Sequence, residues 1–354
     1  MEIGPSDDQR LLAESARDVL SEQSPPSLTR TSYDDPEAWR PLWQTIVDVG
    51  WTGVIASAAD PDEIKNLVAI VEAAGAATVS APFLSTVGLA AGALRTVRTE
   101  AADLLDAIAA GTTATLLAHR SGSRLPGACL SYDNGRLSGR VHQIRDVTRV
   151  DIAVALAEDS IGGTQLVSFR LSDQDLTAHE SVDPSQPVGS SNVSVAPEIV
   201  VPVDAADVLA VPVIAAAAEL VGVADAALSM SVGYAKTREQ FGQPIGGFQA
   251  IKHRLADVFV AVERARSLTY AAAAAASSGE GSVIRAAYLA KAAANDAALA
   301  AARACVSVHG AIAQTWEHDA HLLVRRAWQS AALLGETEAL YRAAAQDYLA
   351  AATA

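Results

Sequence analysis

Residues 234–257, YAKTREQFGQPIGGFQAIKHRLAD, concentrate the groups of this sequence that can recognise a polar ligand. Their pattern predicts the end of one helix, a Gly/Pro-rich turn and the start of a second helix. Arg238 and Gln249 then lie at facing helix ends, with Phe241 between them. A guanidinium, an aromatic face and an amide near a helix N-terminus suit a diphosphate and a nucleobase. A second interpretation stays open, a helical hairpin in which Arg238 pairs with an acid such as Glu239.

Other motifs of the sequence carry weaker chemical signals. Residues 317–321, EHDAH, place His318 and His321 three residues apart, but no third ligand follows at a recognised spacing. We therefore expect no metal site, and expect this segment to cap the helix that follows it. Cys129 and Cys305 are too few for a disulfide framework in a chain of 354 residues. The sequence contains no phosphate-binding glycine loop and no Gly-x-Ser-x-Gly motif.

Charge and composition restrict the class of protein. The 26 basic and 41 acidic residues give a net charge of −15, which would repel nucleic acids and anionic membranes. Half of the residues are hydrophobic but only 5% are aromatic, which favours closely packed helices. The first ten residues lack a basic segment followed by an apolar run, and we expect no signal peptide and a cytoplasmic location. Apolar stretches such as residues 214–218 and 271–276 are too short to span a bilayer.

Changes in sequence pattern divide the chain into three regions. We predict an N-terminal helical domain over residues 1–111, a small β domain over 112–205 and a C-terminal helical bundle over 206–354. The fold class is α+β and mostly α. Apolar residues at helical spacing occur in the first region at residues 11–20, 39–49, 66–77 and 87–97. Prolines 25, 26 and 36 are expected to break the chain between the first two of these helices.

The second and third regions differ in the period of their apolar residues. Short runs rich in Val, Ile or Thr predict strands at residues 113–117, 137–141, 151–157, 165–170 and 191–195. Asp133-Asn134-Gly135 predicts a hairpin turn between the first two runs. Long alanine-rich segments predict helices at residues 213–237, 248–278 and 283–308, and one or two more over 322–352. Four such helices can pack as a bundle.

Residues 234–257 resemble the signature of the acyl-CoA dehydrogenase family, flavoproteins that desaturate acyl-CoA thioesters. The resemblance extends to residues 219–222, 308–319 and 325–327, and continues more weakly through the first 200 residues. It implies the helix–β–helix architecture predicted above and FAD bound at a dimer interface. It also implies an acyl-CoA thioester as substrate, a homologous subunit or a second copy as partner, and an electron-transfer flavoprotein as a further partner.

The resemblance assigns the cofactor residues one by one. Arg238, Phe241 and Gln249 match residues that hold the ADP half of a flavin seated largely in the neighbouring subunit. Three further positions match cofactor contacts in the C-terminal region: His309, Gly310 and Thr337. Two glycines of the usual His-Gly-Gly-x-Gly motif are alanines in this chain, His309-Gly310-Ala311-Ile312-Ala313.

The catalytic base is missing from both of its usual positions. Leu334 stands where the family carries its glutamate, and Pro212 stands at the second known position. Glu336 is one or two residues away, although one helical step turns a side chain by about 100°. Glu219 follows Pro212 by two helical turns and lies among alanines with no neighbouring cation in the sequence. A buried glutamate there would have a raised pKa, as a base requires.

The segments that match flavin-ring contacts are also altered. Residues 118–123 and 140–145 lack the threonine and the tryptophan that the family places against the ring. Three hypotheses follow from the resemblance. The chain is a base-lacking subunit of a heteromeric acyl-CoA dehydrogenase, like the actinobacterial enzymes for steroid side-chain thioesters. It is alternatively a homotetrameric enzyme with Glu219 as a relocated base, or a flavin-free scaffold subunit.

Overall fold

The computed structural model describes residues 4–55, 60–171 and 174–353. The N-terminal region is helical, as the apolar spacing predicts. Its helices are α1 (Asp7–Gln23), α2 (Pro26–Asp34), α3 (Arg40–Asp48), α4 (Glu63–Ala76), α5 (Gly92–Leu94) and α6 (Ala102–Ala109), and a π-helical segment (Leu84–Ala91) precedes α5. Ser6 and Gln9 form a capping box at the start of α1. Helix α1 ends just before Pro25 and Pro26, as predicted, and Pro26 occupies the first position of α2, a helix that the sequence pattern did not predict.

The middle region forms one sheet. Its strands are β1 (Ala114–Leu117), β2 (Leu130–Asp133), β3 (Arg136–Arg145), β4 (Ile152–Asp159), β5 (Thr164–Arg170), β6 (Leu176–His179), β7 (Val188–Val195) and β8 (Ile199–Pro202). Their order is β6-β7-β3-β2-β4-β5-β8, and β1 pairs with β4 in parallel. The predicted Asn134-Gly135 turn is present, but it joins β2 to β3, because the four-residue strand β2 escaped the sequence pattern. Strands β6 and β8 were also missed, since each has only four residues.

The C-terminal region is a helical bundle. It contains α7 (Ala205–Thr237), a ribbon of β9 (Glu239–Gln240) and β10 (Gln243–Pro244), α8 (Gln249–Ser278), α9 (Val283–His309), α10 (Ala320–Ala331) and α11 (Thr337–Thr353). The segment predicted over residues 322–352 is thus two helices, divided where Leu334 and Gly335 adopt positive φ angles of 54° and 122°.

Helix α7 lies at the centre of the molecule and is buried along most of its length. A Cβ atom on Gly222 would lie 1.9 Å from the Glu72 carbonyl oxygen, so α7 and α4 touch through their backbones at this glycine. One continuous apolar core joins α4, α7 and α9, and a second core lies within the sheet. Helix α7 is long and apolar enough to cross a membrane, but 89% of its most apolar window is buried inside the protein, as in a core helix.

Candidate functional site

The turn between α7 and α8 brings the predicted ligand-recognition residues to one end of the bundle. Arg238 caps the end of α7, where its amide donates to the Tyr234 carbonyl at 2.8 Å. Gln249 is the first residue of α8. Between them, β9 and β10 form a two-stranded ribbon with Phe241 at its tip. The sequence therefore predicted this cluster correctly as a helix end, a turn and a new helix.

Phe241 has an unfavourable backbone and almost no protection from solvent. Its φ angle is 55° and its residue is 92% exposed. Its ring meets the ring of Phe248 edge-on at a centroid distance of 6.0 Å. A left-handed conformation costs a non-glycine residue about 1–2 kcal/mol, and an exposed aromatic ring returns little of that energy within the chain. These features are typical of a residue whose contact partner is another molecule.

Arg238 is free to bind a ligand. Within residues 4–55, 60–171 and 174–353, its side chain makes no ion pair, with Glu239, Asp257 or any other acid. The alternative of a salt-bridged helical hairpin is therefore wrong. The Gln249 side chain is also exposed, and its amide nitrogen lies 3.4 Å from His253 Nε2. A guanidinium, an amide and an aromatic ring thus face solvent together.

His309 and Gly310 lie at the same end of the bundle. The His309 ring stacks on Tyr234, one turn before Arg238, with centroids 4.3 Å apart. Its Nδ1–H donates to the Cys305 carbonyl at 2.8 Å, and burial lowers its pKa. Gly310 has φ 70° and ψ −143°, a conformation that is essentially restricted to glycine, so its backbone is left open to approach.

Thr337, by contrast, lies away from these residues, at the start of α11. Asn295 of α9 donates to the Gly335 carbonyl at 3.3 Å, while His309 ends the same helix fourteen residues later. At 1.5 Å per residue, the two ends are about 21 Å apart along α9. The structure thus separates Thr337, which directly follows a cleft at residues 332–336, from the other five predicted cofactor residues, of which His309 is buried.

This cleft lies between the sheet region and the α10–α11 turn. It is lined by residues 116–119 and 123–126, by His142 and Gln143, and by residues 332–336. Leu334, at the position of the usual base, is only 8% exposed. The amide of Glu336 donates to the Arg124 carbonyl at 3.1 Å, and its carboxylate lies 3.5 Å from Arg124 Nε. Glu336 therefore bridges the cleft at its rim.

The cleft does not fit a flavin ring. Its volume is about 90 Å³, whereas pockets for ligands of that size are commonly about 300–1,000 Å³. The side chains facing it include the bulky Leu334 and two histidines, His119 and His142. The two walls of this cleft therefore leave little space between them.

Glu219 occupies an environment opposite to the one predicted. Its carboxylate accepts a hydrogen bond from Arg145 Nη2 at 2.6 Å and lies 3.6 Å from Arg326 Nη1. Burial disfavours the ionised carboxylate, but Arg145 and Arg326 outweigh burial and lower the pKa of Glu219 to about 2. The expectation of a raised pKa without a neighbouring cation is wrong, because the fold brings Arg145 from β3 and Arg326 from α10. A carboxylate held ionised in this way is a weak proton acceptor.

The buried charges around Glu219 join all three regions of the chain. Arg326 pairs with Asp183 at 2.6 Å and donates to the carbonyls of Thr78 and Val79 at 3.1 and 3.0 Å. Arg149 donates to the Ser185 carbonyl at 2.6 Å. A void of only about 10 Å³ remains among these side chains. Sequence reasoning missed this network, because its ion pairs join residues that are 74 and 143 positions apart in the sequence.

The two histidines weighed as metal ligands separate in the structure. His318 lies beside His309, with ring centroids 4.8 Å apart, whereas His321 stacks on Trp316 at 5.0 Å. The His318 Nδ1 accepts the amide of Ala320 at the start of α10, which is the capping role that was predicted. No group of three or more metal-ligating side chains occurs in the part of the chain that the structure describes.

Comparison with protein families and curated proteins gives consistent matches. Residues 205–349 match the family model described as acyl-CoA dehydrogenase, C-terminal domain. The chain is 32% identical over 307 residues to acyl-CoA dehydrogenase FadE34 of Mycobacterium tuberculosis, over 84% of this chain and 41% of that protein. It is 45% identical over 119 residues to acyl-CoA dehydrogenase IpdE2 of Mycolicibacterium smegmatis, over 34% of this chain and 36% of IpdE2. The chain thus covers about two fifths of the length of these curated relatives.

Solved structures share the whole fold. The Tcur3481-Tcur3483 steroid ACAD G363A variant aligns with a TM-score of 0.88 at 23% identity, over 98% of this chain and 99% of that chain. The ChsE4-ChsE5 complex from Mycobacterium tuberculosis aligns with a TM-score of 0.83 at 24% identity, over 99% of both chains. Butyryl-CoA dehydrogenase from Megasphaera elsdenii aligns at 0.81 and 20% identity, over 99% of this chain and 100% of that chain. These likenesses establish the fold.

Proposed function

Residues 205–349 place the chain in the acyl-CoA dehydrogenase family, and from this premise we propose that it is the base-lacking subunit of a heteromeric FAD-dependent acyl-CoA dehydrogenase. In this role the chain completes the flavin site of a homologous partner and has no active site of its own. The observation that carries the proposal is the contrast between an exposed, unpaired Arg238 with its strained Phe241 and a closed 90 Å³ cleft at Leu334.

In this proposal, residues at the α7–α8 end of this chain contact the FAD that is seated in the partner. Arg238 would hold the diphosphate of FAD seated in the partner, Phe241 would cover the nucleotide, and Gln249 would donate its amide to it. His309 and Gly310 would border the same ligand, because both lie at this end of the bundle. FAD, when bound, supplies the hydride acceptor for α,β-desaturation of the thioester. The carboxylate that removes the α-proton must then come from the partner.

Two properties of the relatives support a heteromer. FadE34 is long enough for a second unit of the same size beside the part that matches this chain. One structure with the same fold is a complex of two named chains, ChsE4 and ChsE5, and another is a steroid ACAD. From these names we propose that the substrate is an acyl-CoA thioester with a fatty-acid or steroid side chain. An electron-transfer flavoprotein as acceptor and a cytoplasmic location complete the proposal.

The homotetramer with Glu219 as base is disfavoured by the geometry. Glu219 is 3% exposed and bonded to Arg145, and it lies beside a void too small for an acyl chain. The scaffold hypothesis differs from our proposal in only one respect, the role of Arg238 and its neighbours in binding flavin. A flavin count therefore distinguishes these hypotheses.

The decisive experiment is co-expression with a homologous acyl-CoA dehydrogenase subunit, followed by measurement of FAD and protein in the purified complex. We expect one FAD for each pair of different chains, and a colourless, inactive protein when this chain is expressed alone. Loss of a general base typically lowers rates about 10²–10⁴-fold. One FAD per chain in the protein expressed alone, with turnover abolished by Glu219→Gln, would instead establish the homotetramer. A flavin affinity of the partner that this chain does not change would establish the scaffold.

A further inference from the structure

The small void inside the buried charge network is bordered by hydrogen-bonding atoms that have no partner. Its volume is about 10 Å³, and its polar side is formed by Arg145, Asp146, Gln186, Glu219 and Arg326. Four of these side chains carry a buried atom without a hydrogen-bond partner in the part of the chain that the structure describes: Arg145 Nε, Asp146 Oδ1, Gln186 Oε1 and Glu219 Oε2. An unpaired polar atom in the interior costs stability, so each such atom requires an explanation.

The other polar atoms of the same four side chains hold them in place. Arg145 Nη2 donates to Glu219 Oε1 at 2.6 Å, and Gln186 Nε2 donates to the same oxygen at 3.3 Å. Ser85 Oγ donates to Asp146 Oδ2. Each side chain therefore uses one end within the chain and keeps one atom for a further partner. Because all four side chains line one void, a single molecule in that void can serve them together.

The size of the void restricts what can occupy it. The rest of its wall is apolar and comes from α4 and the segment that follows it: Val71, Ala74, Val79, Ala81, Phe83 and Leu84. A void of about 10–15 Å³ is the smallest that holds a water molecule. A volume of about 10 Å³ therefore admits one water molecule and excludes an acyl group.

The chemistry of the unpaired atoms selects a neutral molecule that both donates and accepts. Arg145 Nε carries a hydrogen atom and can only donate, whereas the oxygens of the amide and of the ionised carboxylates can only accept. A small cation would meet the guanidinium N–H, and a small anion would meet the carboxylates of Asp146 and Glu219. Water accepts one hydrogen bond and donates two, and three bonds are typical of a buried water. The Ser330 hydroxyl, which lies beside Glu219, remains available to the third oxygen.

We propose that this void is a binding site for one structural water molecule, held by Arg145 and by two of the three unpaired oxygens. The water completes the network that joins the end of β3 to α7. Displacing a well-ordered water by an apolar group loses the hydrogen bonds of that water. An acyl chain entering between α4 and α7 would have to displace it, so the water helps to keep this part of the chain closed to substrate.

A crystal structure of the unmodified chain, at a resolution that shows ordered water in the core, tests the site directly. We expect one peak of electron density in the void, about 2.7–3.2 Å from Arg145 Nε and from at least two of the three oxygens. A void without density, or density that refines as an ion or as an elongated molecule, would overturn the proposal.

Relaxation dispersion of the water ¹⁷O nucleus tests the site in solution, because it counts the water molecules that stay inside a protein for longer than its tumbling time. Ala81→Ser adds one oxygen atom to the apolar wall of the void, and the new hydroxyl should take the place of the water. We expect the count to fall by one. Ala69→Ser, at a buried position of α4 that does not line the void, is the matched control and should leave the count unchanged.

An equal count for Ala81→Ser and the unmodified chain would contradict the proposal. The crystal structure keeps the proposal testable even where the variant fails to fold. Neither measurement involves FAD or a partner subunit, so both are independent of whether the chain serves a partner's flavin.

Discussion

The two regions that the family resemblance marks as functional have opposite physical characters. At the α7–α8 turn, Arg238 has no ionic partner among the described residues, and Phe241 is 92% exposed in a strained conformation. Around Glu219, every charged side chain is buried and bonded, and Leu334 seals the neighbouring cleft. The first region has an unpaired cation at the surface, whereas the charged side chains of the second region are paired within the chain.

This difference indicates where a ligand can act on the protein. A binding site must keep polar groups unsatisfied or strained until the ligand arrives, and it loses stability by doing so. A structural network satisfies the same groups internally and gains rigidity. The comparison therefore predicts that substitutions at the α7–α8 turn change ligand binding, and that substitutions around Glu219 change stability.

The largest effect is expected at Glu219. Glu219→Gln removes the carboxylate that Arg145 bonds, while Arg326 keeps its pair with Asp183, and breaking a buried ion pair typically costs about 3–5 kcal/mol. We expect a loss of this size in the free energy of unfolding, measured by urea denaturation. Unchanged stability of this variant would contradict the proposed difference between the two regions and would restore Glu219 as a candidate base. Glu338→Gln, at an exposed pair with Arg342, is the matched control and should change stability by less than about 1 kcal/mol.

The next effect is expected at Arg238. Arg238→Ala removes a charge-assisted contact worth about 1.5–3 kcal/mol, which is a roughly 10–150-fold weaker flavin affinity. Stability should hardly change, because the side chain has no partner within the described structure. Arg238→Lys should restore the affinity only in part, since an ammonium makes no forked contact.

This prediction is checked by titrating FAD into the flavin-free heteromer. Arg342→Ala, which removes an exposed arginine of α11, serves as the control and should bind FAD like the unmodified complex. Equal dissociation constants for Arg238→Ala and the unmodified complex would argue against any role of the α7–α8 turn in flavin binding.

A smaller effect is expected at Phe241, where the substitution should stabilise the fold instead of destabilising it. Phe241→Gly relieves the positive φ angle and should raise the free energy of unfolding by up to about 1 kcal/mol. The same variant should bind FAD more weakly in the heteromer, because the aromatic face is lost. A variant that loses stability would show that the ring packs within the chain. Thermal unfolding and FAD titration together measure both effects.

The smallest effect is expected at Glu336. Its pair with Arg124 spans 3.5 Å between side chains that are 58% and 68% exposed. Such surface pairs contribute about 0–1 kcal/mol. Glu336→Gln should therefore change stability by less than about 1 kcal/mol and leave the activity of the heteromer unchanged. A loss of activity of about 100-fold would identify Glu336 as a base and contradict the comparison.

The sequence by itself determined the order of elements and the exposed site. Helical spacing and alanine content predicted α7, α8 and α9 with errors of a few residues at most at their ends, except for the start of α7. The α7–α8 turn was predicted because its residues are consecutive, so that local chain geometry alone places Arg238, Phe241 and Gln249 together. The missed strands β2, β6 and β8 are short and lack an alternating apolar pattern, and only their neighbours in the sheet hold them extended.

Only the tertiary structure decided what Glu219 does. In the sequence, Glu219 is surrounded by alanines, and the cation that its carboxylate bonds, Arg145, is 74 residues away. Electrostatic energy depends on distance in space, so residues brought together by packing reverse the expected direction of a pKa. Lys291 of α9 likewise meets the carbonyl oxygens of Ser330 and Ala331 only because α10 packs on α9. Local pattern therefore determines which groups face solvent at a turn, whereas long-range packing determines which buried charges are neutralised.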